Sequence, residues 1–290
     1  MKRIHLIILA VLLILVLTAG AAAASTIETY DKGQIDWEKH VITVTGYGAP
    51  PPNAPEATAQ LLAMRAAKAD AFRNALEVIE DVRVSSSTTV ENMMITNDQI
   101  RTNVQGFVKG GQFGEPSYDF KGICTITLIL PISGQSGLTS LIYDTVKSKP
   151  APPMLPPDLA APPAAVEAPA PAPALPFTGI IIDARAVGIK PALYPQIFDA
   201  DGYLLYGPTV ANTQSAEYTT IVAYSRSIES AKVMPRVGDN PLQLTATNSV
   251  KASNGETTDI ILNSAASKAF RDAAAAGDIL AKQAIVIIIN

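Results

Sequence analysis

The sequence predicts an α+β protein: two small α+β domains, each a helix packed on an antiparallel or mixed sheet, joined by a Pro/Ala-rich linker. Three observations carry this prediction. Residues 53–81 form one long helical pattern beside strand-like runs of period two. Residues 150–176 then hold eleven of the chain's 22 prolines. Beyond them, short apolar runs alternate with turn signals and one well-capped helix. The expected division is a signal peptide over 1–24, a first domain over 25–148, the linker over 149–176 and a second domain over 177–290.

In chain order, Lys2 and Arg3 precede an apolar run from Ile4 to Leu17, interrupted only by His5, and Ala22-Ala23-Ala24 supplies the small residues of a cleavage site. This reads as a secretory signal peptide with Ser25 as the mature N-terminus, and the location expected is periplasmic or secreted. An uncleaved anchor is the alternative, but the run is short for a span of about 20 residues.

From Trp37 to Gly46, Val41, Thr43 and Thr45 alternate with Ile42 and Val44, as in a half-buried strand. Gly46-Tyr47-Gly48 closes it. A dinucleotide-binding turn would need a third glycine where Pro51 stands, and proline has no N–H to offer a pyrophosphate, so the glycines are expected to serve a turn. In the helix, Asn53 is placed to cap, with Glu56 at the capping-box spacing and Pro55 in the first turn. Leu62, Ala66, Ala69, Phe72, Leu76 and Ile79 recur at steps of three and four and are expected to share the buried face. Arg73, Glu77, Asp70, Glu80 and Asp81 then form a solvated face. Residues 82–89 look extended, Asn97 caps a short helix containing Ile100, Val104 and Phe107, and Gly110-Gly111 ends it. Val108 to Tyr118 and Ile123 to Ile132 read as two strands of a hairpin.

The segments Ala63-Met-Arg-Ala-Ala-Lys-Ala-Asp-Ala-Phe-Arg-Asn-Ala-Leu-Glu77, Val82-Arg-Val-Ser-Ser-Ser-Thr-Thr-Val90 and Asp98-Gln-Ile-Arg-Thr-Asn-Val-Gln-Gly-Phe-Val-Lys-Gly110 resemble the LPP-twenty lipoprotein family, in the form found as the N-terminal domain of flagellar assembly protein T. The resemblance covers about residues 40–132. It implies a non-enzymatic envelope protein, associated in some members with the outer membrane or the flagellar basal body, with no catalytic residues to carry over. The lipid-bearing cysteine of the lipoprotein members is missing, so no lipid anchor is expected.

Proline and alanine leave the linker neither ladder nor helix, and polyproline II would give a reach of roughly 80 Å at ~3.1 Å per residue. It reads as a spacer across a wall layer or as a plain separator. In the second domain, Gly179 to Asp183 reads as a buried strand. Residues 194–198 and 203–206 form a hairpin around Asp199-Ala-Asp-Gly202. Residues 216–232 have a mixed helical pattern, and residues 242–251 alternate as one strand. Asn254-Gly255 signals the turn to a return strand at Thr258 to Leu262. Asn263 caps a helix over 264–276 that Gly277 stops. Ile285 to Ile289 is apolar throughout, as a strand buried on both faces would be.

Composition bounds the chemistry. Cleaving the leader removes two of 22 basic residues and none of 26 acidic ones, taking the net charge from −4 to −6. That argues against nucleic acid and anionic lipid as partners. Cys124, the one cysteine, excludes an internal disulfide and reads as a buried small hydrophobe. His40 would be the one histidine of the mature chain, which leaves neither a catalytic triad motif nor the ligands of a zinc site. Asp199, Asp201 and Gly202 mimic part of a calcium loop, but Ile197 and Pro208 stand at its first and twelfth positions. The expectation is a protein that is not an enzyme, with no catalytic, cofactor-binding or metal-binding residues and no cofactor. It would act as a structural or assembly factor on envelope protein partners, with a homo-oligomer possible. A periplasmic small-ligand or cell-wall-binding module is the alternative, and Tyr194, Tyr203, Tyr206, Tyr218 and Tyr224 are the candidate cleft aromatics. The two lobes are expected to pack independently and to be held apart by the linker.

Overall fold

The computed structural model describes residues 26–148, 176–211, 220–251 and 256–290. The expected signal peptide, the expected linker apart from Pro176, Tyr218 and the turn expected at Asn254-Gly255 lie outside the described residues. Both halves mix helices with sheets, so the α+β class holds. The first half runs β1 (Ile27–Tyr30), β2 (Gly33–Asp36), β3 (Val41–Gly48), α1 (Glu56–Glu80), β4 (Arg83–Ser85), β5 (Thr88–Thr89), α2 (Val90–Thr96), α3 (Asp98–Lys109), β6 (Gln112–Phe113), β7 (Ser117–Tyr118), β8 (Cys124–Pro131) and α4 (Leu138–Ser148). Six strands form an antiparallel sheet in the order β1-β2-β3-β8-β6, with β7 also on β8. On β3, Ile42 and Val44 point inward beside Gly46 and Gly48; on β8, Cys124, Ile126, Leu128 and Leu130 do so.

Helix α1 lies across that inner face, but rotated from the expected orientation. Its buried stripe is Ala63, Ala67, Ala71 and Ala75, with Val78 and Ile79, whereas Leu62, Ala66 and Ala69 are exposed. The cause sits on β3. A Cβ on Gly46 would stand 2.2 Å from the Ala67 carbonyl oxygen and 2.4 Å from Ala71 N, and one on Gly48 would stand 2.1 Å from the Ala63 carbonyl oxygen. Helix and strand meet at backbone distance, where only alanine fits between them. The glycines therefore form a landing for the helix within the strand instead of a turn. At the helix start Pro55, not Asn53, is the capping residue and makes no side-chain bond, while Asn53 takes a left-handed φ of 62°.

Other local signals hold. Asn97 Oδ1 accepts from the N–H groups of Gln99 and Ile100 to start α3, and Thr89 caps α2. The expected strand from Val108 is cut back because α3 continues to Lys109, and it divides into β6 and β7 around Gly114-Glu115-Pro116. Proline there can donate to no ladder. Strands β1 and β2 and helix α4 are additions to the sequence reading.

The second half holds β9 (Gly179–Asp183), β10 (Ile197–Phe198), β11 (Leu204–Tyr206), β12 (Ala223–Ser225), α5 (Ile228–Lys232), β13 (Pro241–Thr245), β14 (Asn248–Lys251), β15 (Thr257–Ile261), α6 (Ser264–Ala276) and β16 (Ile285–Ile288). They form a parallel sheet, β12-β16-β9-β13, and a mixed one, β11-β10-β15-β14. The apolar run of β16 sits between two partners and is buried throughout. Gly202 takes φ 86° in the β10–β11 turn, and Asn263 accepts from Ala266 N to start α6. Two readings change. Described residues of the 216–232 pattern include strand β12 before a short helix. The strand expected over 242–251 is two strands in different sheets: Ala246 N bonds the Asp183 carbonyl beside β13, and Thr247 N bonds the Ile261 carbonyl beside β14.

The halves are not held apart; one hydrophobic core cluster runs through both. Arg83, 5% exposed, is the cross-tie. Its Nη2 donates to Glu28 at 2.6 Å, its Nε donates to the Pro191 carbonyl at 2.9 Å, and its Nη1 lies 3.7 Å from Glu256. Alongside it, Leu193 N and Tyr194 N donate to the carbonyls of Arg83 and Val84, both at 2.9 Å, so main-chain bonds also tie the second half to β4. Trp37 meets Tyr224 edge to face at 5.8 Å, and the Tyr194 hydroxyl donates to the Thr139 carbonyl at 2.7 Å.

The glycine landing gives a paired prediction. Gly46→Ala forces two backbones apart and is expected to cost about 3 kcal/mol, at the upper end of ordinary overpacking. Gly106→Ala, in α3 with nothing within 4 Å of the added methyl, is expected to gain roughly 0.5–1 kcal/mol. Urea midpoints of the two variants check both; equal midpoints would remove the close approach from the account.

Candidate functional site

The residues that could have carried chemistry are each accounted for by packing. Cys124 is fully buried beneath α1. Asp199 Oδ1 accepts the N–H groups of Asp201 and Tyr203, and its Oδ2 pairs with Arg271, so the calcium-like turn is closed by its own backbone and one cation. Among the described residues, no group of three or more His, Cys, Asp and Glu side chains is placed to hold a metal ion. Tyr194, Tyr206 and Tyr224 line no cleft. All three are buried, and their hydroxyls donate to the carbonyls of Thr139, Ile221 and Ala192. Tyr203 is half exposed.

His40, the one histidine among the described residues, adopts φ 55° at the turn before β3. Its carbonyl accepts from Ile132 N, while its Nε2 is buried with no hydrogen-bond partner among the described residues. Burial, then the positive charge of Arg236, push the imidazole down to about 4, against a weaker opposing pull from Asp36. A neutral, enclosed ring of this kind is a poor proton acceptor near neutrality.

What the fold leaves open is a groove at the edge of the first sheet. Past the β1–β2 hairpin, β3 runs on without a strand on that side. Helix α1 takes the place of the missing neighbour: Asp70 Oδ2 accepts from Tyr47 N at 2.9 Å, and Asn74 Nδ2 donates to the Thr45 carbonyl at 2.8 Å. These two side chains, one turn apart, protect the edge from pairing with another chain. They also wall a cavity of about 500 Å³ whose other sides are the hairpin turn, Gln34, and the outward-facing Thr43, Thr45, Tyr47 and Thr127. The β1–β2 turn separates it from a second depression of about 370 Å³, where Asp31, Glu77 and Asp81 gather. A third, of about 120 Å³, lies at the junction between Arg83, Glu256 and the hydroxyls of Ser85 to Thr89. Beneath it Asp259 accepts from Ser86 Oγ, Gln196 N and Thr258 Oγ1; burial pushes its carboxyl up, and these three bonds oppose that rise.

Sequence reasoning named none of the groove residues as a site. The alternation of Thr43 and Thr45 was legible, but Asp70 read only as part of a solvated helix face and Asn74 carried no reading of its own. Large apolar side chains are also exposed around this end of the first half. Tyr47 is 60% exposed, Leu61 43% and Phe120 93%, and Tyr118 and Leu62 are partly exposed too. The Tyr118 hydroxyl bonds the Gln60 carbonyl, and Gly48 abuts Ala63, which brings the strand end, the helix start and the β7–β8 hairpin together.

Residues 179–290 match the family model described as Treponema pallidum Tp0624, second domain, so the second half, rather less than half of the chain, is similar to that domain. No curated protein matches the chain. Among the described residues no helix is long and apolar enough to cross a membrane.

The state of His40 gives a pH prediction. Its pKa is lower folded than unfolded, so the stability it contributes is complete above about pH 6.5. That contribution declines as the pH falls from there toward 4, by at most about 3 kcal/mol. Urea midpoints of the parent and of His40→Phe, taken between pH 7 and 4.5, should therefore converge or cross as the pH falls. A constant gap across this range would contradict the burial of a neutral ring.

Proposed function

We propose that the chain is an exported, non-enzymatic envelope protein, a structural or assembly factor that works through protein–protein contacts. In this reading the leader is cleaved before Ser25 and the mature protein acts in the periplasm or outside the cell. The first half belongs with the LPP-twenty type it resembles, and a role at the flagellar basal body is the narrower form of the same reading. The observation that carries it is the set of large apolar side chains left in solvent at one end of the first half, above all Phe120 at the tip of the β7–β8 hairpin. Exposed apolar clusters of this kind mark interaction surfaces, and the hairpin that presents Phe120 is stiff, because Asp119 Oδ1 accepts from Lys121 N and Ile123 N. The likeness of the second half to one domain of a Treponema pallidum protein agrees with a unit used in multidomain chains. A second reading, a small-ligand or wall-binding module, is favoured by the polar groove alone.

The test is photo-crosslinking in cells, with the reactive side chain placed at residue 61 or 120 and, as control, at exposed Lys268 on α6. The expected result is a discrete protein adduct from 61 and 120 and none from 268. An adduct of twice the chain mass would make the partner a second copy. Adducts independent of position, or none at any, would refute the reading, as would recovery of the protein with an intact leader from the cytosol.

A further inference from the structure

We propose that the groove between β3, the β1–β2 hairpin and α1 is a binding site for a neutral oligosaccharide, with Tyr47 as the platform for one sugar ring. This rests on the groove and stands independently of the protein-contact reading. Three properties of the site select the ligand class.

The first is the lining. A sugar ring offers two faces of C–H groups and a rim of hydroxyls that both donate and accept. The groove matches it with two tyrosines, Tyr30 of the hairpin and Tyr47, the latter 60% exposed, and with short hydroxyls and an amide: Thr43, Thr45, Thr127 and Gln34. An aromatic ring held in place supplies the apolar contact at little entropic cost, and the hydroxyl and amide groups can each act as donor and acceptor. The roughly 500 Å³ available is the size of a small-ligand site, but its walls lack the apolar lining that would suit a lipid chain.

The second is charge. Asp31, Asp70 and Lys32 line the groove, and Arg73 pairs with Asp70. The acids and bases balance, so neither a strong anion nor a strong cation is favoured. This separates the groove from the neighbouring depression, where acids predominate.

The third is rigidity and blocked backbone. Asp70 and Asn74 are anchored to β3 through Tyr47 N and the Thr45 carbonyl, and Asn74 Nδ2 also reaches Asp70. The wall is thus held before any ligand arrives, as a specific site requires. The same two bonds occupy main-chain groups that an extended peptide would need in order to add as a further strand.

The experiment uses the mature chain with chitotetraose, cellotetraose and, as the peptide probe, tetraglycine. Binding is followed by saturation-transfer NMR and titration calorimetry. At least one sugar should bind with Kd at or below a few millimolar, with saturation centred on one ring. Tyr47→Phe should keep affinity within about twofold, Tyr47→Ala should weaken it about tenfold, and Gln34→Ala severalfold, with thermal midpoints of all three close to the parent. If Tyr47→Ala also lowers the midpoint, Gln34→Ala carries the test. No binding to either sugar, binding to tetraglycine in preference to both, or sugar affinity unchanged in Tyr47→Ala and Gln34→Ala would each overturn the proposal.

Discussion

A buried guanidinium joins the two halves. Arg83 leaves water almost completely, a step that burial alone makes costly. The hydrogen bond and charge of Glu28, with the charge of Glu256, outweigh that cost and hold its pKa above the ordinary value. Removing one partner from such a buried set typically costs about 3–5 kcal/mol, because the other charge is left stranded. The tie is specific in direction as well as in charge. Glu28 comes from β1, the Pro191 carbonyl and Glu256 from the second half, and a fork-shaped cation satisfies all three only in one relative placement. The backbone bonds from Leu193 and Tyr194 to β4 set the register, and Trp37 against Tyr224 fills the space behind. A proline-rich connection between halves already in contact does not determine their spacing.

A second constraint acts inside the first half. Because Gly46 and Gly48 bring α1 onto β3 at backbone distance, Asp70 and Asn74 come within reach of the strand's free edge. The same approach that forces an alanine stripe into the core therefore builds the wall of the groove. Structure and candidate site share one cause: a larger residue at either glycine would lift the helix, and with it the two side chains that close the edge.

What the sequence made legible was local. Asn97 and Asn263 cap their helices, Gly202 turns its hairpin and the isoleucine run of β16 is central, because each is decided by chemistry within a few residues. The helix face was not legible. Of the expected stripe Ile79 is buried and Phe72 and Leu76 pack against the core from its flank, but Leu62 lies in solvent, and only the facing glycines on another element put the alanines at the centre. Nor was the junction. Arg83 between Val82 and Val84 reads as an ordinary strand position, and its partner Pro191 lies 108 residues away, as Asp259 lies 173 from Ser86. Of the tyrosines expected to line a cleft, Tyr194, Tyr206 and Tyr224 belong to the core, each buried and bonded to a main-chain acceptor. The groove escaped notice because threonine, asparagine and glutamine on a solvent face carry no spacing that marks a site.

The central claim, that Arg83 and the core around it make the two halves one cooperative body, is tested most directly by differential scanning calorimetry of residues 25–290. The account predicts a single transition whose calorimetric and van't Hoff enthalpies agree. Two resolved transitions, one for each half, would contradict it.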